Sequence, residues 1–148
     1  MNNIRIYNTK YEIGVRALMI ISKYPNGIDM DSLIILEYLS LHVKIIDEKL
    51  KSLHPDNPFY GMELLSKRRL MNSSINLLFS KGLIDKKYCD EGVLYTSTIL
   101  TDYFLSYFDS NYFNKLNTSI NTVINKFKGY NRDMLEKYVY ENIEIWKG

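Results

Sequence analysis

LLFSKGLIDKKYCDEGVLYTSTILTDYF, residues Leu77–Phe104, is the stretch whose reading decides the fold. Gly82 stands where a helix stops, because a residue without Cβ takes the left-handed conformation of a C′ position without steric penalty. Leu83–Cys89 and Val93–Thr98 then flank Asp90-Glu91-Gly92, a turn with a glycine able to adopt positive φ. Tyr88, Val93, Tyr95 and Thr96 suit strands. A hairpin is predicted here. Thr98 or Thr101 then opens a helix carrying Tyr103, Phe104, Tyr107 and Phe108.

Three helices are predicted upstream. Thr9-Lys10-Tyr11-Glu12 reads as a capping box, with Ile13, Ala17, Ile20 and Ile21 following at helical spacing. That helix should end near Tyr24, before the turn residues Pro25-Asn26-Gly27. Asp29 or Asp31 caps a second helix in which Leu33, Ile34, Leu36, Tyr38, Leu39 and Leu41 leave almost no polar face. Such a helix is covered on several sides and should end near Val43. Residues 52–61 hold two prolines, a glycine and an Asp-Asn pair, so a loop is expected. A third helix runs from about Met62 to Lys81. Its apolar face is Leu64, Met71, Ile75 and Leu78, and its polar face is Ser66, Arg69, Asn72, Ser73 and Asn76.

Beyond Ser110, two more helices are expected, broken at Gly129-Tyr130-Asn131. Met134, Leu135, Tyr138, Val139, Ile143 and Trp146 give the last one an apolar face. Helix, helix, helix, hairpin, helix is the winged-helix order. The expected class is mostly α with a small β-hairpin (α+β), a winged helix-turn-helix with extra C-terminal helices. The 148 residues fit a single domain. Its winged-helix core would span about 7–109 and its helical extension about 110–148.

Charge is unevenly placed. Met62–Tyr88 holds six basic residues (Lys67, Arg68, Arg69, Lys81, Lys86, Lys87) against two acidic ones (Glu63, Asp85), although the whole chain is only +2. A local cationic patch attracts polyanions or an acidic protein surface. Arg reads guanine and Asn reads adenine in the major groove, where the third helix of a DNA-reading winged helix lies. The candidate contacts to nucleic acid or an acidic partner are therefore Ser66, Lys67, Arg68, Arg69, Asn72, Ser73, Asn76, Lys86 and Lys87.

Catalytic chemistry has no support. Phosphate-binding glycine loops and a nucleophile elbow are absent from the sequence. His42 and His54 lie in different elements without acidic or cysteine neighbours at ligand spacing, so neither a metal nor another cofactor is expected. Cys89 is the only cysteine, so no internal disulfide can form. Glu37, inside an apolar helix, is placed where a perturbed catalytic acid could sit, but reads rather as an interface contact or a partner for an arginine such as Arg16. The N-terminal MNNIRIYNTKYEIG has no apolar run of secretory length, and Leu33–Val43 is too short to span a bilayer, so a cytoplasmic location and no membrane contact are expected. Tyrosine is abundant, with thirteen copies, six of them clustered in 103–112 and 130–140, and such an excess suits protein interfaces.

Four segments carry a family resemblance: YNTKYEIGVRALMIIS (Tyr7–Ser22), SLIILEYLSLH (Ser32–His42), SLHPDNPFYGMELLSKRRLMNSSINLLFSKGLI (Ser52–Ile84) and GVLYTST (Gly92–Thr98). They resemble the middle components of bacterial ABC-three-component systems, a group that includes the Lamassu anti-phage and anti-plasmid systems. The resemblance covers about Tyr7–Asp109 and leaves the last third unmatched. It implies a non-enzymatic adaptor beside an SMC-like or Rad50-like ATPase and an effector nuclease. Asn8, Glu12, Gly14, Arg16, Glu37, His54 and Pro55 match its pattern, and it gives them no catalytic role. The candidate partner contacts are Asn8, Glu12, Arg16, Glu37, His54, Tyr138 and Trp146. The alternative is a winged-helix transcription regulator, which would be a two-fold dimer presenting both third helices about one DNA turn apart.

Overall fold

The computed structural model describes residues 9–54 and 60–147, with side chains for 9–54 and 66–142. Among these residues six α-helices and one antiparallel hairpin form, the α+β class expected, in an order compatible with a winged helix. None of these helices is long and apolar enough to cross a membrane. The chain packs as two compact units, residues 1–30 with 67–108 and residues 31–66 with 109–148.

The first unit begins with α1 (Lys10–Ile21). Thr9 caps it as predicted, its hydroxyl accepting from the Glu12 N–H at 3.2 Å. The helix stops three residues before Tyr24. The Ser22 hydroxyl donates to the Met19 carbonyl, and the Lys23 and Tyr24 amides bond the Ile20 and Ile21 carbonyls, tightening the last turn to i→i−3 steps. Gly27 closes the following turn at φ +96°. A Cβ there would stand 2.8 Å from that of Leu94, so both conformation and space demand glycine.

The helix α3 (Tyr60–Ser80) starts two residues before the predicted Met62, inside the expected loop; residues 55–59 of that loop lie outside the described residues. It ends as predicted. Gly82 takes φ +73°, its N–H bonds the Phe79 carbonyl, and the Leu83 N–H bonds the Leu78 carbonyl. That is a Schellman cap, and it turns Leu83 and Ile84 back into the core. Strands β1 (Ile84–Cys89) and β2 (Gly92–Ser97) pair from Ile84↔Ser97 to Cys89↔Gly92. The connection is thus the two-residue Asp90-Glu91, and Gly92, at φ +124°, is the first residue of β2. Ile28 adds an antiparallel bridge to Tyr95. Two threonines tie the strand exit to the α3 cap. Thr98 donates to the Gly82 carbonyl, and Thr101 donates to the Leu83 carbonyl while accepting the Thr98 N–H, each at 2.8 Å. The short helix α4 (Thr101–Leu105) follows, and Tyr107 and Phe108 lie beyond its end.

The second unit holds α2 (Met30–Leu41) from Asp31 onward, a 3-10 turn (Val43–Ile45), α5 (Asn111–Lys126) and α6 (Arg132–Lys147). Ser32–Leu41 are all buried, as a helix without a polar face requires. The Leu53 and His54 amides both bond the Leu41 carbonyl and close the loop onto the end of α2. α5 packs against the 3-10 turn and buries Leu116, Ile120, Val123 and Phe127 at helical spacing. Gly129, at φ +86°, breaks α5 from α6 as predicted. On α6, Leu135 and Val139 are buried, but Met134 is exposed and leaves the apolar face expected for it. The side chains of Ile143 and Trp146 lie outside the described residues.

Candidate partner-binding surface

α3 sets the surface because, among its described side chains from Ser66 to Ser80, one face is occupied and the other is exposed. Met71, Ile75 and Leu78 are buried, and Gly14 of α1 faces Ser74 and Leu78. The Ser74 hydroxyl lies 2.8 Å from the carbonyl oxygens of both Lys10 and Leu70, stitching α1 to α3. With that side taken, Ser66, Arg68, Arg69, Asn72, Ser73 and Asn76 are exposed on the remaining arc. No acidic residue occurs between Ser66 and Gly82, so the arc is cationic and hydrogen-bonding along its length.

Lys67 does not share it. The side chain is only 4% exposed, because positions 67, 71, 75 and 78 follow the core spacing of the helix. An aliphatic stem lying along the apolar face accounts for a lysine there. The same spacing was available in the sequence and sets this residue apart from its basic neighbours.

The hairpin extends the surface unevenly. The Lys86 Nζ sits 4.4 Å from the centroid of the Phe79 ring, a cation–π contact joining β1 to the last turn of α3. Lys87 is exposed. Asp85, Asp90 and Glu91 are exposed on the same hairpin, so its tip is acidic.

The remaining candidates fall elsewhere. Glu12 is half-buried in the first turn of α1. Arg16, in the first unit, and Glu37, in the second, are both almost completely buried, which makes them internal groups. Tyr138 is half-buried against Phe127, ring centroids 4.8 Å apart, and burial followed by the neighbouring Tyr130 raises its pKa. Asn8, Pro55 and the side chain of Trp146 lie outside the described residues.

Three features were not anticipated. His42 and His54, twelve positions apart, come together within the second unit, their ring centroids 6.4 Å apart, with Tyr38 4.7 Å from His42. The Leu41 carbonyl that binds the His54 amide makes this juxtaposition, and no local pattern announces it. A groove of about 530 Å³ in the same unit is lined by Leu50, Lys51, Ser52, Leu53, Tyr112, Lys115, Thr118 and Ser119, none of them a predicted site residue. Ile99, Leu100, Tyr103 and Tyr107 are exposed around α4. The clustering of tyrosines was the signal for part of that group; nothing marked Ile99. Among the described residues no three His, Cys, Asp or Glu side chains are placed to hold a metal.

Residues 6–148 match the family described as ABC-three component (ABC-3C) system Middle Component 2. The chain belongs to that family. The match runs past Asp109 to the last residue, so α5 and α6 are part of the Middle Component 2 pattern, where the resemblance in the sequence had reached only the first two thirds. No curated protein and no solved structure matches the chain. A middle component is one part of a multi-component system, so protein partners are its setting.

Proposed function

We propose that this protein is a cytoplasmic, non-catalytic adaptor of a Lamassu-type defence complex, linking an SMC/Rad50-like ATPase to an effector nuclease. Membership of the Middle Component 2 family carries the reading. The outward arc of α3, with Arg68, Arg69, Asn72 and Asn76, is its candidate contact with double-stranded DNA or an acidic partner surface. The winged-helix order and the Ile28–Tyr95 bridge favour a second reading, a DNA-binding transcription regulator. The acidic hairpin tip weighs against it, because Asp90 and Glu91 would face phosphates wherever the wing met DNA.

The test is affinity purification of the tagged protein expressed from its native operon, with mass spectrometry of what accompanies it. The adaptor reading expects a long coiled-coil ATPase and a nuclease. A homodimer that instead shifts a promoter fragment establishes the regulator. A double charge reversal, Arg68→Glu with Arg69→Glu, then tests the α3 surface. If it meets DNA, association of the assembled complex falls steeply, and its salt slope drops by about one for each phosphate that is no longer neutralised. Unchanged DNA binding assigns this arc to a protein.

A further inference from the structure

In the second unit, residues 50–53 run beside α5 and form with it the groove of about 530 Å³. That volume lies in the range of ligand-sized clefts and admits a few side chains of another chain. Its walls are held. The Leu53 N–H bonds the Leu41 carbonyl, and the Ser52 hydroxyl accepts the Lys44 N–H at 3.2 Å, which fastens one wall to the end of α2 and to the 3-10 turn. On the other wall the Tyr112 ring meets that of Phe113 edge to face, centroids 5.2 Å apart, and the Thr118 hydroxyl donates to the Asn114 carbonyl at 3.1 Å. A groove built in advance spends little ordering free energy when it is filled.

Three kinds of group line it. Leu50, Leu53 and Tyr112 supply half-buried apolar surface. Lys51 and Lys115 are exposed, one on each wall, and among the described residues no Asp or Glu lines the groove. Asp47, Glu48 and Asp109, in the flanking stretches, stand outside the lining, and the Asp47 carboxylate accepts the Lys49 N–H at 3.0 Å. The third kind is Ser119, only 5% exposed. A helical hydroxyl commonly turns back on the carbonyl four residues before it, as those of Thr118 and Thr122 do on the same helix. The Ser119 hydroxyl bonds none of the described residues. A buried hydroxyl in that condition gains when a polar group reaches it through the groove.

We propose that this groove seats a short segment of another protein component of the same system, one that presents an apolar side chain beside an Asp or Glu. The proposal rests on the adaptor reading and adds to it a contact apart from α3. The apolar side chain covers Leu50, Leu53 and the Tyr112 ring, and burial there drives the contact. The carboxylate meets the ammonium groups of Lys51 and Lys115, and a polar group of the same segment bonds Ser119. Cations on both walls with no carboxylate between them select an acidic occupant. Nucleic acid fits less well, because a run of phosphates needs a row of cations where this lining is mainly apolar.

The test measures assembly of the full chain with the other components of its system, co-expressed, at low and high salt. Its variants are the pair Lys51→Glu with Lys115→Glu, Thr118→Trp, which fills the groove from an exposed position, and Ser119→Ala, each checked for native circular dichroism and melting. The wild-type complex is expected to weaken as salt screens the lysine–carboxylate contact. The charge reversal is expected to weaken it by about thirty-fold and to flatten that salt dependence, and Thr118→Trp to weaken it by about thirty-fold as well. Ser119→Ala should cost about five-fold, the loss of one hydrogen bond. A complex left intact by all the variants overturns the groove and leaves the adaptor reading standing. Weakening by Thr118→Trp without the charge reversal means an uncharged occupant and overturns the acidic one. Weakening by the charge reversal without Thr118→Trp puts the contact on the lysines outside the groove and overturns the seat. A wild-type chain that self-associates until its lysines are reversed assigns the groove to a second copy, whose hairpin tip carries Asp90 and Glu91, and overturns the proposed partner. If the wild-type chain joins no complex at all, the adaptor reading fails and this inference with it.

Discussion

α2 and α3 are both read from apolar spacing, and they come to opposite environments. From Ser32 to Leu41 every residue of α2 is buried. α3 buries Lys67, Met71, Ser74, Ile75 and Leu78 and leaves Arg68, Arg69, Asn72, Ser73 and Asn76 in water. Polar groups in the two helices therefore do different work. In α2 the Ser40 hydroxyl turns back on the Leu36 carbonyl at 2.7 Å, and Glu37 has no exposure to solvent at all. In α3 Ser74 turns back on the Leu70 carbonyl in the same way, but Arg68, Arg69, Asn72, Ser73 and Asn76 are presented outward. A polar side chain on a helix says little about function until the coverage of that helix is known.

The contrast can be broken by mutation, and the largest effect belongs to the core of α3. Met71→Asp or Ile75→Asp places an unpaired carboxylate in a fully buried position, at a cost of several kcal/mol. That is comparable with the roughly 5–15 kcal/mol total stability of a domain, so loss of the cooperative melt is expected. A variant with wild-type melting would show that the buried face of α3 is wrongly assigned.

Alanine scanning sharpens the comparison. Leu33→Ala, Ile34→Ala and Leu39→Ala lie around the circumference of α2, yet each should cost about 2–5 kcal/mol in denaturant titrations, because no side of that helix is exposed. If one were neutral, α2 would have a free face. Ser40→Ala removes one buried hydrogen bond and should cost about 1 kcal/mol. The smallest effect is expected on the outer arc of α3. Arg69→Ala, Asn72→Ala and Asn76→Ala should each change stability by less than about 0.5 kcal/mol. A destabilisation of about 2 kcal/mol at any of them would move it from contact surface to framework.

Much of the fold was legible because its signals are local. Thr9 caps α1, Gly82 ends α3, Gly92 permits the tight hairpin and Gly129 divides α5 from α6, each through conformations or hydrogen bonds within a few residues. The candidate surface was legible in part. The outer arc of α3 follows from the position of Met71, Ile75 and Leu78. Composition alone grouped Lys67 with Arg68 and Arg69, and helical phase separates them. On α6, Met134 satisfies the apolar spacing and is nevertheless exposed, because spacing states which residues share a face and not how far a neighbour covers it.

By itself the sequence determined the elements, their order, the cationic character of one helix face and the family. These depend on backbone geometry and side-chain type, which act over one turn of helix or one strand pair. Tertiary structure alone decided that His42 meets His54, that Lys86 rests on Phe79, that Arg16 is buried, and that Ile99, Leu100, Tyr103 and Tyr107 stay in water. Those outcomes turn on which apolar faces close on one another, and residues far apart in the chain acquire a common environment only when they do.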